Sequence, residues 1–273
     1  MPQDSFSASG VRSGRISLRR LFSHEQNFLN HAGLERFLKK RPVDEIVAEG
    51  LRDISPEDSA SEKSEQLLKI LEEYSPHSRA HCDRVFRLAE RVKPYAQSNL
   101  LFHGLDMDRL AFDLRLHDIG KLFINREVLE RKNGDWTAVD EVIMSEHAAL
   151  GAKLLKLLGF GTRTVEMAHF HHIRQREGDG HQLRIMGYPA NDFINYAAAQ
   201  RITALPKRII IGSFFEVYDA MTGPRPNYAP KSHEEALHTM ETDPRNSGKL
   251  FSDPFYSRHF NEFKEAAEMF ENL

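Results

Sequence analysis

The sequence predicts an all-α protein, a larger helical bundle preceded by a small helical N-terminal unit. Two observations predict it. Apolar residues recur every three or four positions through most of the 273-residue chain, which is the spacing of a half-buried helix. The strict apolar–polar alternation of a half-buried strand is nearly absent. A third observation concerns what the bundle holds. Of the 14 histidines, three are His81, His117 and His147 and three more, His169, His171 and His172, fall in the segment AHFHH.

Taken in order, residues 1–22 are rich in Ser, Gly and Arg and read as a loose, solvated arm. From Ser23 the pattern turns helical, with Phe28, Leu29, Leu34, Phe37 and Leu38 at helical spacing after a serine cap. Pro42 stops that helix, and Val43–Val47 opens a short second one. The stretch ISPEDSASEKSE (54–65) has no bulky apolar residue after Ile54 and reads as a linker. We place the domain boundary near it, giving an N-terminal unit over 1–62 and a larger domain over 63–273. Amphipathic helices are expected over 65–74, 76–95, 106–118, 138–158, 161–173, 206–221, 232–241 and 254–271. Gly159-Phe160-Gly161 parts the fourth from the fifth as a helix-ending signal.

Composition narrows the function classes. A net charge of −3 gives no case for holding a long nucleic acid by charge, yet leaves room for a small anion in a local positive site. The single cysteine, Cys82, rules out an internal disulfide and fits a reducing compartment. A small buried residue is the better reading of it than a reactive thiol. No apolar run approaches the ~18 residues of a membrane span, and the N-terminus lacks the apolar core of a signal peptide. The expectation is a cytoplasmic protein with no membrane partner.

The stretch LRLHDIGKLFI (114–124) ends an apolar run with His117 and Asp118 and sets Lys121 three residues on. Desolvating such groups without partners is costly, so something must pair with them. Helical phasing supplies candidates. His81 lies on a helix whose Val85, Leu88 and Val92 form the apolar face, with His77 one turn earlier on the same side. His147 falls within MSEHAALG, His171 and His172 end TVEMAHFHH, and Glu216 lies among aromatic and aliphatic neighbours in SFFEVYDAMTG. Any one helical histidine is better read as a core or surface residue. As a set, five imidazoles and two carboxylates spread over the helices match what two divalent metal ions require. Asp118 would bridge the ions, since a carboxylate has two oxygens where an imidazole normally serves one metal. Two ions carry +4; two carboxylates and a bridging hydroxide leave about +1, suited to a phosphodiester of about −1. Paired ions about 3.5–4 Å apart activate water and stabilise an in-line displacement. Lys121 would neutralise charge building on phosphorus.

This series resembles the HD-GYP subgroup of the HD-domain metal-dependent phosphohydrolases, known for cleaving cyclic dinucleotides, chiefly cyclic di-GMP. The resemblance runs from about residue 70 to the C-terminus. It rests on H-x-x-R-V from His81, H-D-I-G-K at 117–121, E-H-A-A-L-G at 146–151, the His171-His172 pair, Y-D-A-M-T-G-P-R-P at 218–226 and F-S-D-P at 251–254. It implies an HD-domain helical bundle. It also implies metal ligation by His81, His117, Asp118, His147, His171, His172 and Glu216, a phosphate-contacting Lys121, and Arg225 as substrate-binding arginine. Asp118 and Lys121 would carry catalysis. Iron is the expected metal, partly by resemblance, with manganese and zinc as alternatives for a set of imidazoles and carboxylates.

The sequence departs from the family in several places. Glu216 stands where an aspartate is usual. His77 replaces the glutamate of trinuclear members, which favours two ions with His77 as a candidate extra ligand. The naming loop is altered: fourteen residues, 173–186, separate His172 from Gly187-Tyr188-Pro189. One alignment keeps Tyr188 as the loop tyrosine; the other puts His181, in Gly178-Asp179-Gly180-His181, in its place and better preserves local spacing. The family's K-P-G element appears as Lys132-Asn133-Gly134. The metal set is complete while the substrate elements are remodelled.

Three readings follow. The first is a phosphodiesterase in which metal-held hydroxide attacks a cyclic dinucleotide. The second is a non-hydrolysing nucleotide sensor or interaction module, with residues 1–62 docking a signalling partner. The third is an HD phosphohydrolase of another phosphoester. The complete ligand set favours an enzyme.

Overall fold

The structure is a computed structural model, and it describes residues 31–40, 43–131, 135, 137–177, 182–185, 206–225, 229–242 and 254–268. Within these, the chain is built from helices with one small hairpin, as the apolar spacing predicts. Helices α1 (His31–Lys39), α2 (Glu45–Asp53) and α3 (Ala60–Tyr74) precede α4 (Pro76–Val92). Then follow α5 (Met107–Arg115), a 3₁₀ turn (Ile119–Phe123), α6 (Arg126–Glu130), α7 (Ala138–Leu157) and α8 (Thr162–Phe170). Strands β1 (Ile173–Glu177) and β2 (Gln182–Ile185) pair antiparallel, and α9 (Lys207–Thr222), α10 (His233–Thr242) and α11 (Pro254–Ala267) close the series.

Three boundaries differ from the sequence reading, each for a local reason. Helix α3 starts inside the expected linker, because the Ser59 side chain accepts from the Glu62 N–H while Glu62 accepts from the Ser59 N–H. That reciprocal cap is polar by nature, so it resembles a loop in sequence. Helix α5 ends at Arg115, which puts His117 and Asp118 in the turn beyond it rather than on the helix. The hairpin after His172 replaces the end of an expected helix, and its strands carry a mixed polar sequence with no clear period.

Among the described residues, a small buried cluster of Ile124, Val128 and Met144 and two large ones make up the interior. One joins Val85, Leu88, Leu110, Leu114, Met167 and Phe170 with the apolar residues of α9, α10 and α11. Phe214 stacks on Phe263 there, with ring centroids 4.9 Å apart. The other joins Leu34, Phe37, Leu51, Leu67 and Leu71 of the first three helices with Leu116, Ile119, Leu154 and Val165. The N-terminal helices thus share a buried core with α7 and α8. Leu114 belongs to the first cluster and Leu116 and Ile119 to the second, so His117 and Asp118 lie at the seam between them.

The turn that follows is pressed directly onto α7. A Cβ on Gly120 would stand 1.8 Å from the His147 carbonyl oxygen, and one on Gly151 would stand 2.9 Å from the Gly120 nitrogen. Only glycines permit this approach, which sets Asp118 against His147. At the far end of the turn, the buried Tyr74 hydroxyl donates to the Ile124 carbonyl at 2.7 Å. Phe37 meets Phe123 edge-on at 5.0 Å. No helix among the described residues is long and apolar enough to cross a membrane.

Candidate metal centre

Four elements deliver the cluster. His81 comes from α4, His117 and Asp118 from the turn after α5, His147 from α7, and His171 and His172 from the end of α8. All six are buried. They form two groups that share one carboxylate: Asp118 with His147, His171 and His172, and Asp118 with His81 and His117.

The hydrogen bonds behind the rings decide what the rings present. A backbone carbonyl only accepts, so a ring nitrogen facing one must carry the proton. Nδ1 of His117 donates to the Leu114 carbonyl at 2.5 Å, Nδ1 of His147 to Met144 at 2.5 Å, and Nδ1 of His171 to Ala168 at 2.9 Å. Nδ1 of His81 donates to the Asp219 carboxylate at 2.6 Å. Each Nε2 is then a bare lone pair. These lone pairs converge: His81 and His117 Nε2 are 3.2 Å apart, as are His147 and His171 Nε2. His172 brings its own Nε2 to 3.0 Å from that of His147. Asp118 adds further negative charge, with Oδ1 at 3.1 Å from His147 Nε2 and Oδ2 at 3.5 Å from Nε2 of both His81 and His117.

Lone pairs and a carboxylate at these distances repel unless a cation lies among them. Protons are poor candidates for that role. Burial favours the neutral form of three of the imidazoles, pushing His81 down to about 4 and His171 down to about 3, and lowering His117. Asp118 is deeply buried, which alone would raise its pKa. The positive charge of Lys121, paired with it, holds it instead well below the usual carboxylate range. The donor set therefore fits divalent metal: imidazole nitrogens with fixed tautomers around a shared, ionised carboxylate.

Lys121 makes an ion pair with Asp118 at 2.5 Å, and it keeps a side chain that is partly open to solvent. Arg225 lies near enough for its charge to lower His81, and its buried Nε has no hydrogen-bond partner among the described residues. The other expected residues are placed less closely. Glu216 is buried on α9 but lies outside both groups. His77 is exposed, one turn from His81, and likewise outside them. Lys132, His181 and Tyr188, with Asn133-Gly134, Gly187 and Pro189, lie outside the described residues. Cys82 is buried, and burial pushes its thiol pKa up, consistent with a packing role.

Sequence reasoning passed over two sets of residues. Asp219 and Arg84 sit inside quoted motifs, yet only the packing of α9 on α4 reveals that they meet at His81. Asp113 is fully buried and accepts from the Thr164 hydroxyl at 2.7 Å, and Arg109 in turn donates to Thr164 at 2.6 Å. With the Arg208–Glu166 pair, this network ties α5, α8 and α9 together beside the cluster. An aspartate on an amphipathic helix offers the sequence reader no sign of such burial.

No curated protein matches the chain. A family model described as the HD domain matches residues 79–210, a span that contains His81, His117, Asp118, His147, His171 and His172. The convergent imidazoles and the family match fall on the same stretch, so the part of the chain that is similar to an HD domain is the part that carries both donor groups.

Proposed function

We propose that the protein is a metal-dependent phosphodiesterase that hydrolyses a cyclic dinucleotide, cyclic di-GMP first among them, in the cytoplasm. The observation that carries this reading is the pair of donor groups sharing Asp118. A shared carboxylate is what two adjacent divalent ions require, and iron is the first candidate, ahead of manganese or zinc. Ions held there would supply an activated water and charge stabilisation for an in-line displacement at phosphorus.

The protein's own groups have separable tasks. Asp118 sits between the two donor groups and fixes their spacing. Lys121, paired with Asp118 yet partly open to solvent, is placed to bind a phosphate oxygen and offset charge that builds on it. Arg225 brings a guanidinium with an unpartnered buried Nε to the same side as His81, suited to a second phosphate or a guanine edge. The remodelled loop after His172 would tune which nucleotide fits. Residues 1–62 are the proposed docking unit for a signalling partner, since their described helices pack behind the turn that carries Asp118.

The test is product analysis. Protein purified without air and loaded with iron or manganese is incubated with cyclic di-GMP, and the nucleotides are separated by chromatography. Linear dinucleotide that vanishes in Asp118→Ala supports the reading. Absence of turnover with metals demonstrably bound would move the assignment to another phosphoester or to a sensing role.

A further inference from the structure

We propose that Asp219 and Arg84 form a clamp, seated on Gly223, that positions His81 for its metal and makes the His81 half of the centre depend on a contact between distant helices. The proposal rests on the metal reading above and adds to it a pair of positioning residues. The geometry is specific. Asp219 Oδ2 accepts from His81 Nδ1 at 2.6 Å. Arg84 donates through Nε to Asp219 Oδ1 at 2.7 Å and through Nη2 to Oδ2 at 3.0 Å. Both carboxylate oxygens are therefore engaged in a two-point hold, which fixes the plane of the acid and with it the plane of the ring.

The seat of the clamp is just as constrained. A Cβ on Gly223 would stand 2.6 Å from Arg84 Nη2, 2.7 Å from its Nε and 2.8 Å from the Asp219 carbonyl oxygen. The guanidinium thus occupies the space that any side chain at position 223 would take. Two residues further on is Arg225, so the segment that supports the clamp also carries the arginine assigned to substrate.

A purely structural role is the competing explanation, because a buried ion pair between α4 and α9 could serve only to dock them. The target of the hydrogen bond argues otherwise. Asp219 addresses the one ring nitrogen that sets the tautomer of His81, and an anionic acceptor makes an imidazole a stronger donor than a carbonyl acceptor does. His117, His147 and His171 have carbonyl acceptors, so His81 is the one of these four that an anion holds in place.

The experiment is metal titration of the full-length protein by chelator competition, using Mn²⁺ for affinity and Co²⁺ for its visible absorption. In Asp219→Asn, which keeps the shape of the acid but not its charge, one of two metal equivalents should weaken by about 10–100-fold. The other should be unchanged, and the cobalt spectrum should change for one equivalent only. Arg84→Lys and Gly223→Ala should weaken the same equivalent by less, and they carry the test if Asp219→Asn does not fold. Thr164→Val, which disturbs the neighbouring network without touching an imidazole, should lower the melting temperature and leave both affinities alone. Parent protein that binds no metal would overturn the metal reading and the clamp with it. Parent protein that binds metal, with Asp219→Asn matching it in affinity and spectrum, overturns the clamp alone. Equal weakening of both equivalents in Asp219→Asn and in Thr164→Val would also overturn it, by showing that the pair acts only through stability.

Discussion

The imidazoles of the cluster are held in two different ways. His117, His147 and His171 each donate Nδ1 to a carbonyl three residues earlier in their own chain segment. His81 donates to Asp219, 138 residues away. The first kind of tether needs only the backbone three residues away, and no side-chain substitution removes its acceptor. The second exists only when α9 packs against α4, and a single substitution removes it. In one half of the centre the His147 and His171 tethers are thus local, whereas the other half joins a locally held His117 to a His81 held by tertiary contact.

Asp118 belongs to both halves, so its loss should have the largest effect. Asp118→Ala should abolish metal loading in both groups, read by elemental analysis of the purified protein. Retention of two metals would mean that the halves do not share a ligand. Lys121→Ala should spare both halves and still lower turnover by at least about 100-fold, as expected for losing a charge that acts in the transition state. Metal content equal to the parent, together with lost activity, is the signature to look for.

Gly120→Ala addresses the local half through its packing. The added methyl meets the His147 carbonyl oxygen at 1.8 Å, so the turn must move off α7. A loss of about 3 kcal/mol is expected from overpacking of this kind, with weaker metal at the His147 group. A denaturant midpoint equal to that of the parent would show that the turn and α7 are not locked together. Tyr74→Phe should have the smallest effect, about 1 kcal/mol for one buried hydrogen bond. It removes the donor to Ile124 at the end of the same turn while leaving every ligand in place. If it changed metal affinity, the N-terminal helices would be coupled to the centre more tightly than their packing behind the turn implies.

Much of the fold was readable because helix formation is periodic and local. The apolar spacing places α4, α7, α9 and α10 within a few residues of where they lie. The errors fell where a local signal was ambiguous. The Ser59–Glu62 cap looks like a linker because both are polar. The hairpin after His172 has no clean alternation to announce it.

For the centre, residue chemistry and order along the chain point to His81, His117, Asp118, His147, His171 and His172. An imidazole or carboxylate at the buried end of an apolar segment needs a partner, and that need is visible in one dimension. What one dimension does not hold is distance between helices. Whether Glu216 reaches the groups, whether His77 turns toward them, and which carboxylate stands behind His81 all depend on how α9 packs on α4. Packing is decided by the summed burial of the two clusters, with Gly120, Gly151 and Gly223 setting how closely backbone and side chain approach. The order of residues was enough for the helices and the donor types, because these depend on residue chemistry and on neighbours within one turn. Folding in three dimensions was needed for the seam where the donors converge, which joins residues 24 to 36 positions apart, and for the Asp219–Arg84 hold on His81, which joins residues 135 to 138 apart.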